Sequence, residues 1–435
     1  MPTRSPLSIR YVHPDTLQAD PRNARTRGKH HVKLLARSIK AFGFNVPIAI
    51  DEKGRVVAGH ARLEAAKLLG LTDVPVICLS HLGEKQRLAF MVADNRLHDL
   101  SRWNQKNLAS ILLELSEAEL DFDIELTGFS VGEIDLIVNP EDEPDDNSNA
   151  LPEPGPAVTV LGDLWRLGKH RVLCADALSS MSLATLMGDE QADTVVTDPP
   201  FNVPTKGHIG GLGRIQHEEF VQAAGEMSEA EFTAFLQATM QNVVAVSRDG
   251  SLHYWAMDWR HQFELMSAAR AVYDEQVNLC AWVKTAPGMG SLYRSQHELF
   301  SVWRKGKTRH RNNVQLGRFG RSRSNVWSYP GANSFSRASD EGNLLALHPT
   351  VKPVALVADI LLDCTKRGDI VLDPFLGSGS TIIAAEKVGR QACGLELKPA
   401  FVDVIVRRWQ RWSGEKARRA DGTLFDDLEA AAPGE

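Results

Sequence analysis

The chain has 435 residues, 43% hydrophobic and 24% charged, with 49 Lys plus Arg against 55 Asp plus Glu and a net charge of -6. This near-average composition excludes collagen-like, fully disordered and histone-like classes, and the length suggests two or three domains. No apolar run reaches the roughly 18 residues of a membrane span, no signal-peptide core follows Met1, and the five cysteines form no CxxC pair, so a cytoplasmic protein without a metal is expected.

In chain order, apolar spacing predicts helices over residues 33–42, 60–69, 85–97 and 107–115 and strands over 46–50, 55–58 and 74–79. Residues 5–113 therefore read as a small α+β domain, and residues 1–113 carry 18 basic and 9 acidic side chains. Residues 114–157 hold 14 acids and no base. The last part of that stretch, Asn139 to Ala157, has five prolines and six acids, and the whole of 114–157 is expected to be an acidic, Pro-rich linker region. Beyond it, strands over 194–197, 251–255, 277–283, 299–303, 370–372 and 392–395 alternate with helices over 229–246, 260–272, 354–364, 381–388 and 399–410. That alternation predicts a doubly wound, Rossmann-like α/β sheet, with ligands at the carboxyl ends of its strands. Residues 413–435 read as a C-terminal tail.

Four motifs carry chemistry. Thr197-Asp198-Pro199-Pro200-Phe201 follows an apolar strand, and its two prolines fix one carboxylate, free carbonyls and an aromatic ring in a rigid turn. Such an array suits a planar amino group, with the acid and a carbonyl accepting its N–H bonds while the ring stacks on the base. In Asp369 to Ala385, a strand ends at Asp373-Pro374-Phe375, and Gly377-Ser378-Gly379 leads into a helix whose free N–H groups face a ligand. No Lys precedes Ser380, so this is not a Walker loop. About twenty residues on, a strand ends at Glu396, placed to accept from ribose hydroxyls. RVLCAD ends in Asp176, and HPTVKP, His348 to Pro353, precedes the glycine strand.

TDPPF, HPTVKP, DPFLGSGST and GLEL, in this chain order, resemble the permuted β group of the S-adenosylmethionine-dependent amino DNA methyltransferases, over roughly residues 158–412. The resemblance implies that Asp198, Pro199, Pro200 and Phe201 hold the target amine. It implies that Asp373, Phe375, Gly377, Ser378 and Gly379 line the methionine side of the cofactor, that Glu396 binds its ribose and Asp176 its adenine, and that His348, Thr350 and Lys352 close over it. Asp as first residue of the turn implies transfer to adenine N6 in double-stranded DNA by base flipping, of the restriction-modification type, with cytosine N4 as alternative. Phe201 stands where Tyr is commoner, so a hydroxyl bond is lost.

Residues 294–337 hold ten basic residues and one acid, Glu298. Lying between the catalytic and cofactor motifs, this zone is expected to supply target recognition (304–345), with Arg304, Lys305, Lys307, Arg309, Arg311, Arg318, Arg321 and Arg323 on the DNA. VVAGHARLEAAKLLG, Val56 to Gly70, resembles the ParB/sulfiredoxin-like fold. This implies contact of the N-terminal domain with DNA or a nucleotide, although Ala61 interrupts the arginine-rich pattern. β-group relatives imply a homodimer. A non-catalytic ParB-like regulator is the contrasting reading, against which the intact motifs argue.

Overall fold

A computed structural model describes residues 7–23, 25, 28–100, 103–138, 152, 155, 157–203, 223, 225–287, 292–314, 322–331 and 351–432. The chain divides into two compact units, Met1–Val138 and Asn139–Glu435.

In the first unit, β1 (Ile9–Val12), β2 (Gln18–Ala19), β3 (Ile48–Ile50), β4 (Arg55–Ala58) and β5 (Val74–Cys78) form a sheet in the order β1-β5-β3-β4-β2. Helices α1 (Lys29–Phe42), α2 (His60–Leu68) and α3 (Glu84–Leu100) accompany it, and Ile48, Val56, Leu63, Ala66, Val74 and Val76 fill the core. Then come α4 (Gln105–Glu117) and α5 (Val131–Val138). The acidic region expected to be linker from residue 114 is therefore folded as far as Val138. Leu108, Leu112 and Ile134 meet in a small core with Phe129 and Ile137, while Glu114, Glu117, Glu119, Asp121 and Asp123 stay exposed. An acidic solvent face concealed an apolar stripe.

The second unit is built on ten strands: β6 (Leu164–Leu167), β7 (His170–Cys174), β8 (Ala192–Thr197), β9 (Ser247–Met257), β10 (Glu275–Lys284), β11 (His297–Arg304), β12 (Val326–Tyr329), β13 (Ile370–Asp373), β14 (Gln391–Glu396) and β15 (Arg418–Arg419). Their order is β12-β10-β11-β9-β8-β13-β14-β7-β6-β15. The central five, from β9 to β7, are parallel, as the α/β reading requires, whereas β11 runs antiparallel to β9 and β10. Helices α6 (Ser180–Met187), α7 (Glu229–Ala245), α8 (Gln262–Val272), α9 (Val354–Cys364), α10 (Ser380–Lys387), α11 (Pro399–Ser413) and α12 (Phe425–Ala431) complete it.

Adjacent strand residues take opposite faces, and both faces are apolar. Val196, Tyr254, Ala256 and Val371 pack with α9, α10 and α11. Val195 and Leu372 pack with α6, and Trp255 and Met257 with α7 and α8. Near-continuous apolar runs are what strands covered on both sides require. The stretch after residue 413 is no free tail: β15 pairs with β6, and Phe425 is fully buried edge-on to Trp165, 5.2 Å between centroids.

β8 lies beside β13, although the chain visits β9 to β12 between them. Their carboxyl ends open a crevice at the point where the strand order reverses, the standard ligand position of such sheets.

Candidate active site

Asp198 leaves the end of β8 in the TDPPF turn. The next residue after the turn, Asn202, adopts φ 52°, which Asn tolerates better than other non-glycine residues. Its amide donates to the Met227 carbonyl at 2.8 Å, and its oxygen accepts from Gly225 N and Met227 N. The turn is thereby pinned on its outer side.

Its inner side is held by charge. Lys352 Nζ donates to Asp198 Oδ2 and lies 2.9 Å from Glu298 Oε2, and Lys284 Nζ lies 2.5 Å from Glu298 Oε1. The Lys352 ammonium stands 5.5 Å from the Phe201 ring and 5.8 Å from Trp282. Two acids and two bases thus alternate through a partly buried cluster, and partial desolvation favours keeping such charges paired. Burial pushes the Asp198 carboxyl above its ordinary value, with Lys352 pulling against it. For Glu298 burial pushes the same way, but the two lysines prevail and hold it at about 2. Burial presses Lys352 down, yet both carboxylates raise it above the ordinary lysine value. Asp198 Oδ1 is buried and accepts no hydrogen bond from any of the described residues.

Beside this turn, Asp373 at the end of β13 is buried, with Oδ1 accepting from Thr197 Oγ1 at 2.8 Å and Oδ2 from Thr381 Oγ1 at 2.6 Å. Burial pushes it up to about 6. Phe375 N donates to the same carboxylate, and the Phe375 ring packs by Phe235. Gly377 and Gly379 take φ of 54° and 80°, and a Cβ at Gly379 would stand 3.0 Å from Ile405, so both demand glycine. Arg408, buried on α11, donates to the Ser378 carbonyl at 2.8 Å from beneath.

Glu396 ends β14, with its oxygens accepting from Gly377 N and Lys398 N, each at 2.9 Å. Burial pushes it up to about 7 against these bonds. Asp176, just beyond β7, caps its own turn through Leu178 N at 2.9 Å. The half-buried carboxylate at the strand end, beside a glycine turn at a helix N-terminus, fits a nucleoside cofactor with a ribose diol.

The catalytic and glycine motifs therefore come together on one edge of the sheet. Lys352 lies there too, between Asp198 and Glu298. His348, Thr350, Arg318 and Arg321 lie outside the described residues, as do most of 304–345 beyond Val314 and most of the stretch 139–157. The remaining basic residues are not at this edge. Because β11 is reversed, Arg304 and the following Lys305, Lys307, Arg309 and Arg311 fall at the opposite edge, by the starts of β8, β9 and β13. Arg304 pairs with Glu275 at 2.6 Å, Lys305 donates to the Ser247 carbonyl, and Thr308 N bonds Asp249. Arg323 is largely buried, paired with Asp359 at 2.9 Å and Asp363 at 2.8 Å and lying over Trp327. It braces β12 against α9. Glu298, Lys284, Asn202, Thr197, Thr381 and Arg408 were not anticipated; the one signal was a lone acid, Glu298, among ten bases.

In the first unit, Gly59 at φ 95° starts α2, and His60 Nε2 accepts from Asp20 N at 3.3 Å. Arg62 folds across Gly59, so that a Cβ there would stand 2.9 Å from its guanidinium.

Residues 192–407 match the N6/N4 DNA methylase family, residues 3–96 the ParB N-terminal domain, and residues 106–161 the ParB-methyltransferase HTH domain. The chain belongs to the N6/N4 DNA methylases. The methylase is a DNA methyltransferase using S-adenosylmethionine, with a ParB-like domain ahead of the catalytic unit. It is similar to the Type II methyltransferase M2.DpnII of Streptococcus pneumoniae, at 24% identity over 249 residues, 51% of this chain and 84% of that protein. The ParB-like nuclease domain-containing protein YnaK of Escherichia coli (strain K12) is 44% identical over 81 residues, 19% of this chain and 93% of that protein. Among solved structures, PvuII DNA methyltransferase (cytosine-N4-specific) is 16% identical, with 60% of this chain and 90% of that chain covered at a TM-score of 0.43. The HTH match spans the acidic helices α4 and α5, which corrects the reading of 114–157 as linker. Among the described residues no helix is long and apolar enough to cross a membrane.

Proposed function

We propose that the methylase acts on adenine N6 in duplex DNA, with the target base turned out of the helix and held at Asp198–Phe201. The observation that carries this reading is the unequal pair of Asp198 oxygens. Oδ2 is neutralised by Lys352, while Oδ1 is buried and open to one donor. An unmet acceptor in a dry site costs about 1–3 kcal/mol until a donor arrives, so the turn favours a ligand that brings an N–H. Bonds from the amine to Oδ1 and to the Pro199 carbonyl favour a more tetrahedral nitrogen, whose lone pair no longer conjugates with the ring. The Phe201 ring offers a stacking face.

Asp373, Phe375, Gly377, Ser378 and Gly379 would line the methionine side of the cofactor, with Glu396 on its ribose and Asp176 on its adenine. When bound, S-adenosylmethionine supplies an electrophilic methyl group on a sulfonium. The protein's share is positioning and electrostatics: Asp198 orients the amine, the Lys352–Glu298 pair fixes Asp198, and burial keeps water away. Asp198→Asn, which keeps the shape of the turn, should reduce methyl transfer by about a thousandfold while cofactor affinity stays near wild type. Full activity in that variant would remove Asp198 from the mechanism. Mass analysis of nucleosides from modified DNA should return N6-methyladenine; N4-methylcytosine would correct the target base. The basic excess of residues 1–113, 18 basic against 9 acidic side chains, supports additional DNA contact by that part of the chain.

A further inference from the structure

The reversal of β11 changes where nucleic acid has to lie. From Glu298, at the catalytic edge, to Arg304 the strand advances about 20 Å, so the basic stretch that follows cannot serve a base held at Asp198. The catalytic edge offers something else. Among the described residues of Asn139–Glu435, the aromatic side chains that stand exposed are Trp259 (58%), Phe263 (75%) and Tyr293 (86%). Their places in the chain put all three at that edge. Trp259 follows β9, whose Trp255 is level with Thr197; Phe263 is in the first turn of α8; Tyr293 precedes β11, whose His297 is level with Val283. The unit buries Trp165, Trp255, Trp282, Trp303, Trp327 and Trp409, so aromatic exposure is confined to one place. Cations accompany it. Arg260 lies 5.1 Å from the Trp259 ring centroid, and exposed Arg294 donates to the Pro287 carbonyl at 2.9 Å.

We infer that Trp259, Phe263 and Tyr293 form the stacking surface that receives DNA bases beside the turned-out target, with Arg260 and Arg294 toward the phosphates. Every base has a π-face, so such a surface adds affinity without reading sequence. It also fills the space that a departing base leaves in the stack. This rests on Asp198 being the catalytic acid, because only then does the partner have to lie at this edge.

The test measures equilibrium binding of the full chain, with S-adenosylhomocysteine present, to sheared genomic DNA from a methylation-deficient bacterium. Binding is read without catalysis, so its failure is separate from that of the Asp198→Asn assay. Trp259→Ala and Tyr293→Ala should each weaken binding about tenfold, while Trp259→Phe, which keeps a stacking face, stays within about twofold. The double variant Lys307→Ala/Arg309→Ala, at the opposite edge, should also stay within about twofold. Unchanged binding in both alanine variants overturns the inference, as does a tenfold loss in the basic double variant alone.

Discussion

Lys352 is the residue whose position most affects the chemistry, because one ammonium serves two buried carboxylates. Replacing it with Met would leave Asp198 and Glu298 uncompensated in a desolvated site. Asp198 is already pushed up by burial, and loss of the lysine removes what opposes that push. Its ionised form is the acceptor, so activity is lost as pH falls through its pKa, and the acid limb of the kcat profile of Lys352→Met should move to higher pH. An unmoved limb would show that Lys352 does not set the charge of Asp198. Glu396 gives a second pH effect. Burial holds its folded value at about 7, above the ordinary carboxylate range, and ribose hydroxyls favour the ionised form. Cofactor binding at neutral pH should therefore release a proton, and affinity should rise with pH up to about 7 and level off above it. Calorimetric titration in buffers of different ionisation heat measures this directly; a heat independent of buffer would count against Glu396 as the ribose ligand.

Single elements show why local reading succeeded in some places and failed in others. The TDPPF and GSG turns were legible because proline and glycine determine their own backbone, whatever surrounds them. The contacts of Glu298 and Lys352 were not, since residues 154 and 54 apart in the chain meet only through strand register and direction. Apolar alternation is the same whichever way a strand runs, so nothing in HELFSVWR reveals that β11 is reversed and its basic sequel carried away from the site. Arg323 was misjudged for a related reason: an arginine among arginines reads as solvated, but two acids on α9 take it into an ion pair. Arg323→Ala would strand Asp359 and Asp363, and should cost the second unit about 3 kcal/mol in chemical denaturation. A change below about 0.5 kcal/mol would mean the pair contributes little to holding β12 on α9.

At the scale of the whole chain, the two-unit division and the α/β class were readable from composition and pattern, and the acidic excess misled. Charge dominates the segment 114–138 and reads as connection, although Leu108, Leu112 and Ile134 form a core there with Ile124, Phe129, Ile137 and Val138 packed against it. The net charge of -6 likewise says little about a molecule whose substrate is DNA. Asp373 has the wider consequence. Its one carboxylate joins Thr197, the last residue before the catalytic turn, to Thr381, in the helix of the glycine turn. The two sides of the crevice therefore share a single brace, and whatever one ligand does to that brace the other inherits. Thermodynamic reciprocity then sets the terms: if the cofactor tightens DNA binding by some factor through Asp373, DNA tightens cofactor binding by the same factor, and Thr197→Val should abolish both gains together.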